Sequence, residues 1–188
     1  NDRWHVKTNG SKEFDVASIV IAGGVGSFEP RKFQLKECEK FEGNSLFYAV
    51  KDKTIFKDKT ISIFGGGDSA LDWAIELSNT SKVNLIHRRD GVSGMEASVQ
   101  KVKELNDQGK INLYTKYQLV SVVGENKINS VKIKHDDGEV KDIKSDFVLG
   151  FFGLIMQLGP ILDWGLNIDK KKVEVNTENF ETNINGIF

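Results

Sequence analysis

A run of three glycines between an apolar strand and a helix is the feature that most constrains the fold of this chain. Residues 60–64, Thr-Ile-Ser-Ile-Phe, are mainly β-branched or aromatic and predict a buried parallel strand, and residues 70–77 predict a helix. Between them stands Gly65-Gly66-Gly67-Asp68-Ser69-Ala70. In such a strand–turn–helix unit the first glycine permits a tight bend, and the third lets the backbone approach a pyrophosphate. The alanine keeps the helix close to the strand. The sequence therefore predicts a dinucleotide-binding turn.

A basic triplet stands where the second strand of this unit ends. His87-Arg88-Arg89 begins 22 residues after Gly65 and closes a predicted strand over residues 83–87. NAD-binding domains usually carry Asp or Glu here to accept the ribose 2′-hydroxyl. A guanidinium can instead bind a 2′-phosphate in bidentate fashion, whereas a carboxylate would repel it. We interpret Arg88 and Arg89 as selecting NADP(H). The alternative is that they are two surface arginines that merely end a strand.

The remaining residues of the two motifs have simpler expected roles. The helix N-terminus offers free N–H groups and the positive end of its dipole to an anion. Ser69 is expected to donate its hydroxyl to a phosphate oxygen. Asp68 would repel that phosphate, so we expect it to cap the helix. His87 either contacts adenine or ribose or is hydrogen-bonded locally. The candidate cofactor-binding residues are therefore Gly65, Gly66, Gly67, Asp68, Ser69, Ala70, His87, Arg88 and Arg89.

The rest of the chain predicts an α/β fold, with a Rossmann-like open parallel sheet and an inserted β hairpin. A helix is predicted over residues 96–106, where apolar residues recur at helical spacing, and strands over 111–114 and 117–123. The hairpin is predicted over 126–146, turning at Asp136-Asp137-Gly138. A buried strand is predicted over 146–152, and a further strand near the start over 15–22. Residues 31–59 are interpreted as a polar connection.

Composition excludes several classes of function. The 188 residues include 26 basic and 27 acidic side chains, so a net charge of −1 gives no field that would attract nucleic acid or an anionic membrane. The longest apolar runs are too short to span a bilayer, and we expect a cytoplasmic protein. Neither His5 nor His135 has partners at metal-ligand spacing, so no metal site is predicted. Lys170-Lys171-Lys172 is interpreted as a solvated turn.

Four stretches together resemble a known family. Residues 63–74, which include the glycine turn, and His87-Arg88-Arg89-Asp90-Gly91 are similar to the NADPH domain of the thioredoxin-reductase-like ferredoxin–NADP reductases. Residues 22–31 are similar to the segment where the family's FAD domain leads into the NADPH domain, and residues 152–188 to the returning FAD segment. The resemblance implies an NADPH-binding domain over residues 31–151. It also implies incomplete segments of a second, FAD-binding Rossmann-like domain over 1–30 and 152–188.

The cysteine content bears on which branch of this superfamily the chain resembles. Thioredoxin reductases carry a Cys-x-x-Cys shortly before the glycine turn, and the corresponding stretch here is Tyr48-Ala49-Val50-Lys51. Cys38 is the one cysteine of the sequence and is interpreted as an incidental thiol. The resemblance therefore implies an enzyme whose flavin exchanges hydride with NADPH and single electrons with ferredoxin or flavodoxin. No catalytic side chain is nominated, because the protein supplies orientation.

The resemblance also sets expectations for the isolated chain. The family's FAD-pyrophosphate glycine motif and its Gly-Asp pair are not in this sequence, which looks like a piece of a longer protein. We expect NADPH binding without flavin, and hence an inactive isolated chain. Gly23-Gly24-Val25-Gly26 is either a flavin-proximal turn or a simple strand exit. Whether two copies of the chain form a homodimer is a question that the sequence leaves open.

One residue departs from the family pattern. Ser93 stands where the family usually has a third arginine, which would weaken the 2′-phosphate site unless Lys101 or Lys103 compensates. The alternatives are another FAD-dependent NAD(P)H oxidoreductase of the thioredoxin reductase superfamily and a non-catalytic NADP(H)-binding module.

Overall fold

The computed structural model describes residues 3–24 and 27–188, which form two compact units. The larger unit is Pro30–Gly153, and the smaller comprises Asn1–Glu29 and Leu154–Phe188. In chain order the strands of the described residues are β1 (Trp4–Lys7), β2 (Glu13–Val16), β3 (Ser27–Pro30), β4 (Leu46–Phe47), β5 (Thr60–Gly65), β6 (Lys82–His87), β7 (Ile111–Thr115), β8 (Tyr117–Gly124), β9 (Ile128–His135), β10 (Val140–Lys144), β11 (Phe147–Phe151), β12 (Leu154–Gln157), β13 (Ile168–Asp169) and β14 (Lys172–Val173). The α-helices are α1 (Asp68–Leu77) and α2 (Glu96–Asp107), and short 3-10 helices span Lys36–Phe41, Lys53–Phe56 and Gly159–Asp163.

The larger unit is built on a parallel sheet of five strands in the order β4-β11-β5-β6-β7. The inner strands are rich in apolar residues because both of their faces are covered, as in β5, where Ile61 and Ile63 are fully buried. Leu71 and Ala74 of α1 pack on these residues, and Val102 of α2 joins the same cluster. The predicted α/β fold with an open parallel sheet is confirmed.

The strand order places a topological switch point beside β5. From β5 the chain runs outward through β6 and β7 and then returns to pair β11 with the other side of β5. In open α/β sheets ligands bind at the carboxyl ends of strands where the order reverses. At that edge Gly65 pairs with Phe151, and Phe64 pairs with Ile86 of β6. The glycine turn and the end of β6 therefore open on the same crevice.

An antiparallel sheet of three strands, in the order β10-β9-β8, is inserted before β11. The predicted hairpin is confirmed as β9 and β10, with Gly138 of its turn at φ +101°. The strand predicted over residues 117–123 is the third member, β8. Ile128, Val131 and Ile133 pack with Phe64 and Val148 of the parallel sheet in a second apolar cluster.

The interpretation of residues 31–59 as a polar connection was wrong. Cys38, Phe41, Leu46 and Phe56 are each at most 1% exposed, and β4 joins the edge of the parallel sheet. The buried side chains stand on 3-10 helices and a strand of two residues. Such short elements have too few residues to show a period in the sequence, so their apolar positions look scattered.

The smaller unit consists of short strands in pairs. Strand β1 pairs with β2 and β13 pairs with β14 in antiparallel fashion, the latter across a turn in which Lys170 and Lys171 have positive φ, and β3 lies next to β12 in a third pair. The strand predicted over residues 15–22 was wrong in its bounds: β2 ends at Val16, and only an isolated bridge from Ile19 to Ile187 follows. Val20, between the partly buried Ile19 and Ile21, is 72% exposed.

Two properties follow from the described ranges 3–24 and 27–188. No helix within them is both long enough and apolar enough to pass through a membrane. Nor does any group of three or more His, Cys, Asp or Glu residues within them have the arrangement that a metal ion needs.

Candidate dinucleotide-binding site

Gly65 forms the bend at the end of β5. Its φ is +154°, a value that residues with a side chain rarely adopt. A Cβ built on Gly65 would lie 2.6 Å from the Phe151 carbonyl oxygen and 2.9 Å from the Ala70 Cβ. Ala70 is fully buried, so α1 begins in direct contact with the ends of β5 and β11. Glycine at 65 and alanine at 70 are thus required by packing.

Gly66 makes room for the imidazole ring of His87. A Cβ at Gly66 would lie 2.3 Å from the His87 Nδ1 and 2.4 Å from its Cε1. The ring at the end of β6 therefore lies directly against the backbone of the turn that follows β5. The structure thus brings the glycine turn and the basic triplet, which are separate motifs in the sequence, into contact.

Gly67 and Ser69 lie at the open end of helix α1. A Cβ at Gly67 would meet only the Ser93 carbonyl oxygen, at 3.8 Å, which leaves space for a group to approach the backbone. The Gly67 carbonyl accepts hydrogen bonds from Ala70 N–H at 2.9 Å and Leu71 N–H at 3.2 Å. The N–H groups of Asp68 and Ser69 precede these bonds and, with the exposed Ser69 side chain, are available to an anion.

The expectation that Asp68 caps α1 was wrong. The N-cap of that helix is Gly67, and Asp68 is the first helical residue. The Asp68 Oδ1 instead accepts a hydrogen bond from the backbone N–H of Met95, at 2.7 Å. Met95 is the N-cap residue of α2, so this carboxylate joins the starts of two helices. Spacing along the sequence gave no signal for a contact between residues so far apart.

Arg88 and Arg89 are exposed at the carboxyl end of β6. Neither guanidinium forms an ion pair within the described part of the chain. The neighbouring Asp90 carboxylate lies 3.1 Å from the Lys116 Nζ, and the Lys116 N–H donates to the Arg89 carbonyl at 3.0 Å. The acidic side chain that follows the arginines in sequence is therefore paired with Lys116 rather than with either guanidinium.

His87 is held in its neutral form. Burial of the imidazole lowers its pKa below the ordinary value, and the charges of Arg89 and Arg88 lower it further. A hydrogen bond to the backbone of Gly65 acts in the opposite direction. The His87 Nε2 atom is buried without a hydrogen-bond partner among the described residues. In its neutral form the imidazole has one donor and one acceptor nitrogen, so the buried Nε2 has unused hydrogen-bonding capacity.

The remaining predicted residues have defined places. The Ser93 N–H donates to the Gly66 carbonyl at 2.6 Å, so the residue that replaces the family's third arginine contacts the glycine turn through its backbone. Lys101 is engaged with Glu104 at 3.1 Å, whereas Lys103 is exposed on α2. In the smaller unit Gly24 has φ +56°, while Val25 and Gly26 of the predicted turn lie outside the described residues.

A parallel sheet with a glycine turn at its switch point is the arrangement of Rossmann-like nucleotide-binding proteins. A family model, pyridine nucleotide-disulphide oxidoreductase, matches residues 1–188. The chain therefore belongs to this family of FAD- and NAD(P)-dependent oxidoreductases.

Relatives and solved structures agree with this assignment. The chain is 69% identical to a ferredoxin–NADP reductase of Pelagibacter ubique, matched over 100% of this chain and 56% of the relative. It is 43% identical to a ferredoxin–NADP reductase of Parvibaculum lavamentivorans, over 99% of this chain and 54% of that protein. The crystal structure of Lactococcus lactis thioredoxin reductase in its FR conformation superposes with a TM-score of 0.81 at 28% identity, covering 100% of this chain and 60% of the other. The chain thus spans about half the length of the two relatives.

Substituting the two outer glycines of the turn is expected to have unequal effects. Gly65→Ala places a Cβ against a backbone oxygen at an unfavourable φ, so we expect a loss of at least about 2 kcal/mol in the free energy of unfolding. Gly67→Ala has room and an ordinary φ of −95°, and should cost less than about 1 kcal/mol. Urea unfolding measures both. Equal losses would contradict the packing described for Gly65.

The His87 imidazole is expected to titrate below pH 6.5, its ordinary value, in the folded chain. As the pH falls past 6.5 the unfolded chain takes up a proton before the folded one does. The contribution of His87 to stability is therefore complete above pH 6.5 and is lost as the pH falls towards the folded-state pKa. NMR titration of the ring measures the midpoint. The variant with both Arg88→Ala and Arg89→Ala should move it upward but leave it below 6.5, because burial is the larger cause. A midpoint at or above 6.5 in the parent chain would refute this environment.

Proposed function

We propose that this chain is the NADP(H)-binding part of a flavin-dependent ferredoxin–NADP reductase. In the intact enzyme it exchanges hydride between nicotinamide and FAD, and the flavin exchanges single electrons with ferredoxin or flavodoxin. The observation that carries the proposal is the contact between two motifs at one sheet edge. A glycine turn with free helix N–H groups meets a strand end bearing two arginines without ion pairs. The names of the two relatives support the same activity.

The residues of the crevice suit a dinucleotide with a 2′-phosphate. The N–H groups of Asp68 and Ser69 suit the pyrophosphate, and the space at Gly67 allows its approach. Arg88 and Arg89 suit the doubly charged 2′-phosphate, because each presents donors in a planar fork. The Asp90 carboxylate is paired with Lys116 and opposes this attraction less than a free carboxylate would.

The chain's own chemistry is binding and orientation. NADP(H), when bound, supplies a hydride donor or acceptor to a flavin. The residues at the ends of β5 and β6 would fix the pyrophosphate and the adenosine half, which leaves the nicotinamide half to extend from the crevice. No proton transfer at a protein side chain is required for this role.

The thiol content supports an external electron carrier. Cys38 is the one cysteine of the sequence, so the chain itself provides no dithiol for a flavin to reduce. Cys38 is also 1% exposed, and burial raises the pKa of its thiol to about 12. A buried, protonated thiol is a poor nucleophile. These properties favour ferredoxin or flavodoxin over a disulfide as the electron acceptor.

The smaller unit is proposed to belong to the FAD-binding domain. Its segments Asn1–Glu29 and Leu154–Phe188 flank the larger unit in sequence and form one compact unit of short strands. This is the expected arrangement if the NADPH-binding domain is inserted into the FAD-binding one. Whether two chains associate as a homodimer is a separate question that sedimentation would answer.

Isothermal titration calorimetry with NADPH and NADH tests the cofactor assignment. The parent chain should bind NADPH more tightly than NADH. Arg88→Ala and Arg89→Ala should each lower NADPH affinity by about tenfold to a hundredfold, the effect of losing one charge-assisted hydrogen bond. NADH affinity should change by less than about threefold, because NADH lacks the phosphate that these side chains would bind.

Lys110→Ala is the matched control, since it removes an exposed cation from the turn that follows α2. It should leave both affinities within about twofold of the parent. Equal affinities of the parent for NADPH and NADH would overturn the assignment. An effect of Lys110→Ala as large as those of the arginine variants would show that general positive charge, rather than the arginine pair, binds the phosphate.

The purified 188-residue chain is expected to hold no flavin, because the family's FAD-pyrophosphate motif is not in its sequence. The visible absorbance spectrum relative to the protein absorbance measures this directly. A stoichiometric flavin band after gel filtration would show that the chain binds FAD without that motif.

A further inference from the structure

The loop of residues 88–95 joins β6 to α2 and carries the arginine pair at its first end. That end is fixed through Lys116, whose N–H donates to the Arg89 carbonyl at 3.0 Å and whose Nζ lies 3.1 Å from Asp90. These contacts hold the loop beside the start of β8. They do not by themselves determine how the rest of the loop lies over the glycine turn.

The second end of the loop is fixed to the glycine turn and to α1. The Ser93 N–H donates to the Gly66 carbonyl at 2.6 Å, and the Met95 N–H donates to the Asp68 Oδ1 at 2.7 Å. The Met95 side chain is 70% exposed, so apolar burial of that residue does little to hold the loop. Of these two hydrogen bonds only the one to Asp68 uses a side chain, and substitution can therefore remove it selectively.

The packing around Asp68 is close. A Cβ on Gly94 would lie 2.8 Å from the Asp68 Oδ1 and 2.8 Å from the Leu71 Cδ1, so the loop rests on the first turn of α1 at a glycine. No side chain caps α2 at its N-cap residue Met95. A carboxylate placed there is favoured by the dipole of α2. The Asp68 side chain, at the start of α1, is therefore held by the N-terminus of α2.

We propose that Asp68 is a positioning residue for the arginine pair, and that by fixing the loop it sets the preference for a 2′-phosphorylated dinucleotide. This inference rests on the function proposed above. A free carboxylate at the start of a phosphate-binding helix repels the ligand, whereas a hydrogen bond from Met95 directs this carboxylate towards α2. Without that bond the second end of the loop is less ordered. Part of the binding free energy must then offset the conformational entropy that is lost when both arginines become ordered.

Calorimetry on the full chain with NADPH and NADH tests this role. Asp68→Ala removes the acceptor and should lower the ratio of NADPH affinity to NADH affinity by about threefold to tenfold. Asp68→Asn removes the charge but keeps an oxygen acceptor, and should hold the ratio within about twofold of the parent. A role limited to global stability would lower both affinities together and leave the ratio unchanged.

Asp72→Ala is the matched control. The Asp72 Oδ1 accepts a hydrogen bond from the Ser98 Oγ at 3.1 Å, which also joins α1 to α2 but lies one turn further from the loop. This variant should leave the affinity ratio unchanged. A fall in the ratio as large as that of Asp68→Ala would overturn the proposal in favour of general packing between the two helices.

Amide hydrogen exchange without ligand separates the role of Asp68 from the proposed function of the chain. Amide hydrogen exchange over residues 90–95 should be faster in Asp68→Ala than in the parent or in Asp68→Asn, and Gly94→Ala, which displaces the same carboxylate, should act in the same direction. If the parent prefers NADPH but Asp68→Ala keeps both the ratio and the exchange rates, the role of Asp68 is wrong and the proposed function stands. If the parent does not discriminate between NADPH and NADH, the proposed function fails and the role in selectivity fails with it.

Discussion

The close approach of β5, β11 and α1 at Gly65 is the constraint on which the candidate site depends. No side chain fits between the Gly65 Cα, the Phe151 carbonyl oxygen and the Ala70 Cβ. Because β5 and α1 touch there, the first N–H groups of α1 lie at the carboxyl ends of β5 and β11. The adjacent glycine then admits the His87 ring, which brings the end of β6 to the same place. Three glycines thus perform three different steric tasks in one turn.

The charges around the crevice are arranged so that the cations remain available. The whole chain carries a net charge of −1, so an anion would be attracted by local arrangement only. Two acidic side chains of the turn and the loop have their own partners: Asp90 pairs with Lys116, and Asp68 accepts from Met95. His87, between the turn and the arginines, is kept neutral by burial and by their charge. Arg88 and Arg89 are thus left without an acidic partner among the described residues, although the chain has no excess of basic residues.

The sequence was sufficient for elements with a clear period or turn signal and insufficient for contacts across the fold. The strand–turn–helix unit from residue 60 to residue 77 and the hairpin at Asp136–Gly138 could be predicted, because local pattern and local structure coincide there. Residues 31–59 could not, since Phe41 and Leu46 are buried by neighbours distant in sequence rather than by a periodic face. The prediction that Asp68 caps α1 failed for a related reason. Capping rules describe contacts within one helix, whereas the partner of Asp68 is Met95 at the start of α2. The use of the glycine and arginine residues by a cofactor stays a prediction.

The burial of Cys38 also makes the reactivity of this thiol a measure of how firmly the two sheets pack together. It lies in the apolar cluster that joins the antiparallel sheet to one face of the parallel sheet, with Phe41, Tyr117 and Val131 among its members. A thiol that is both enclosed and protonated reacts with an alkylating reagent only after this cluster opens. Because the sequence contains no other cysteine, a single labelling rate would measure how often the inserted sheet separates from the parallel sheet.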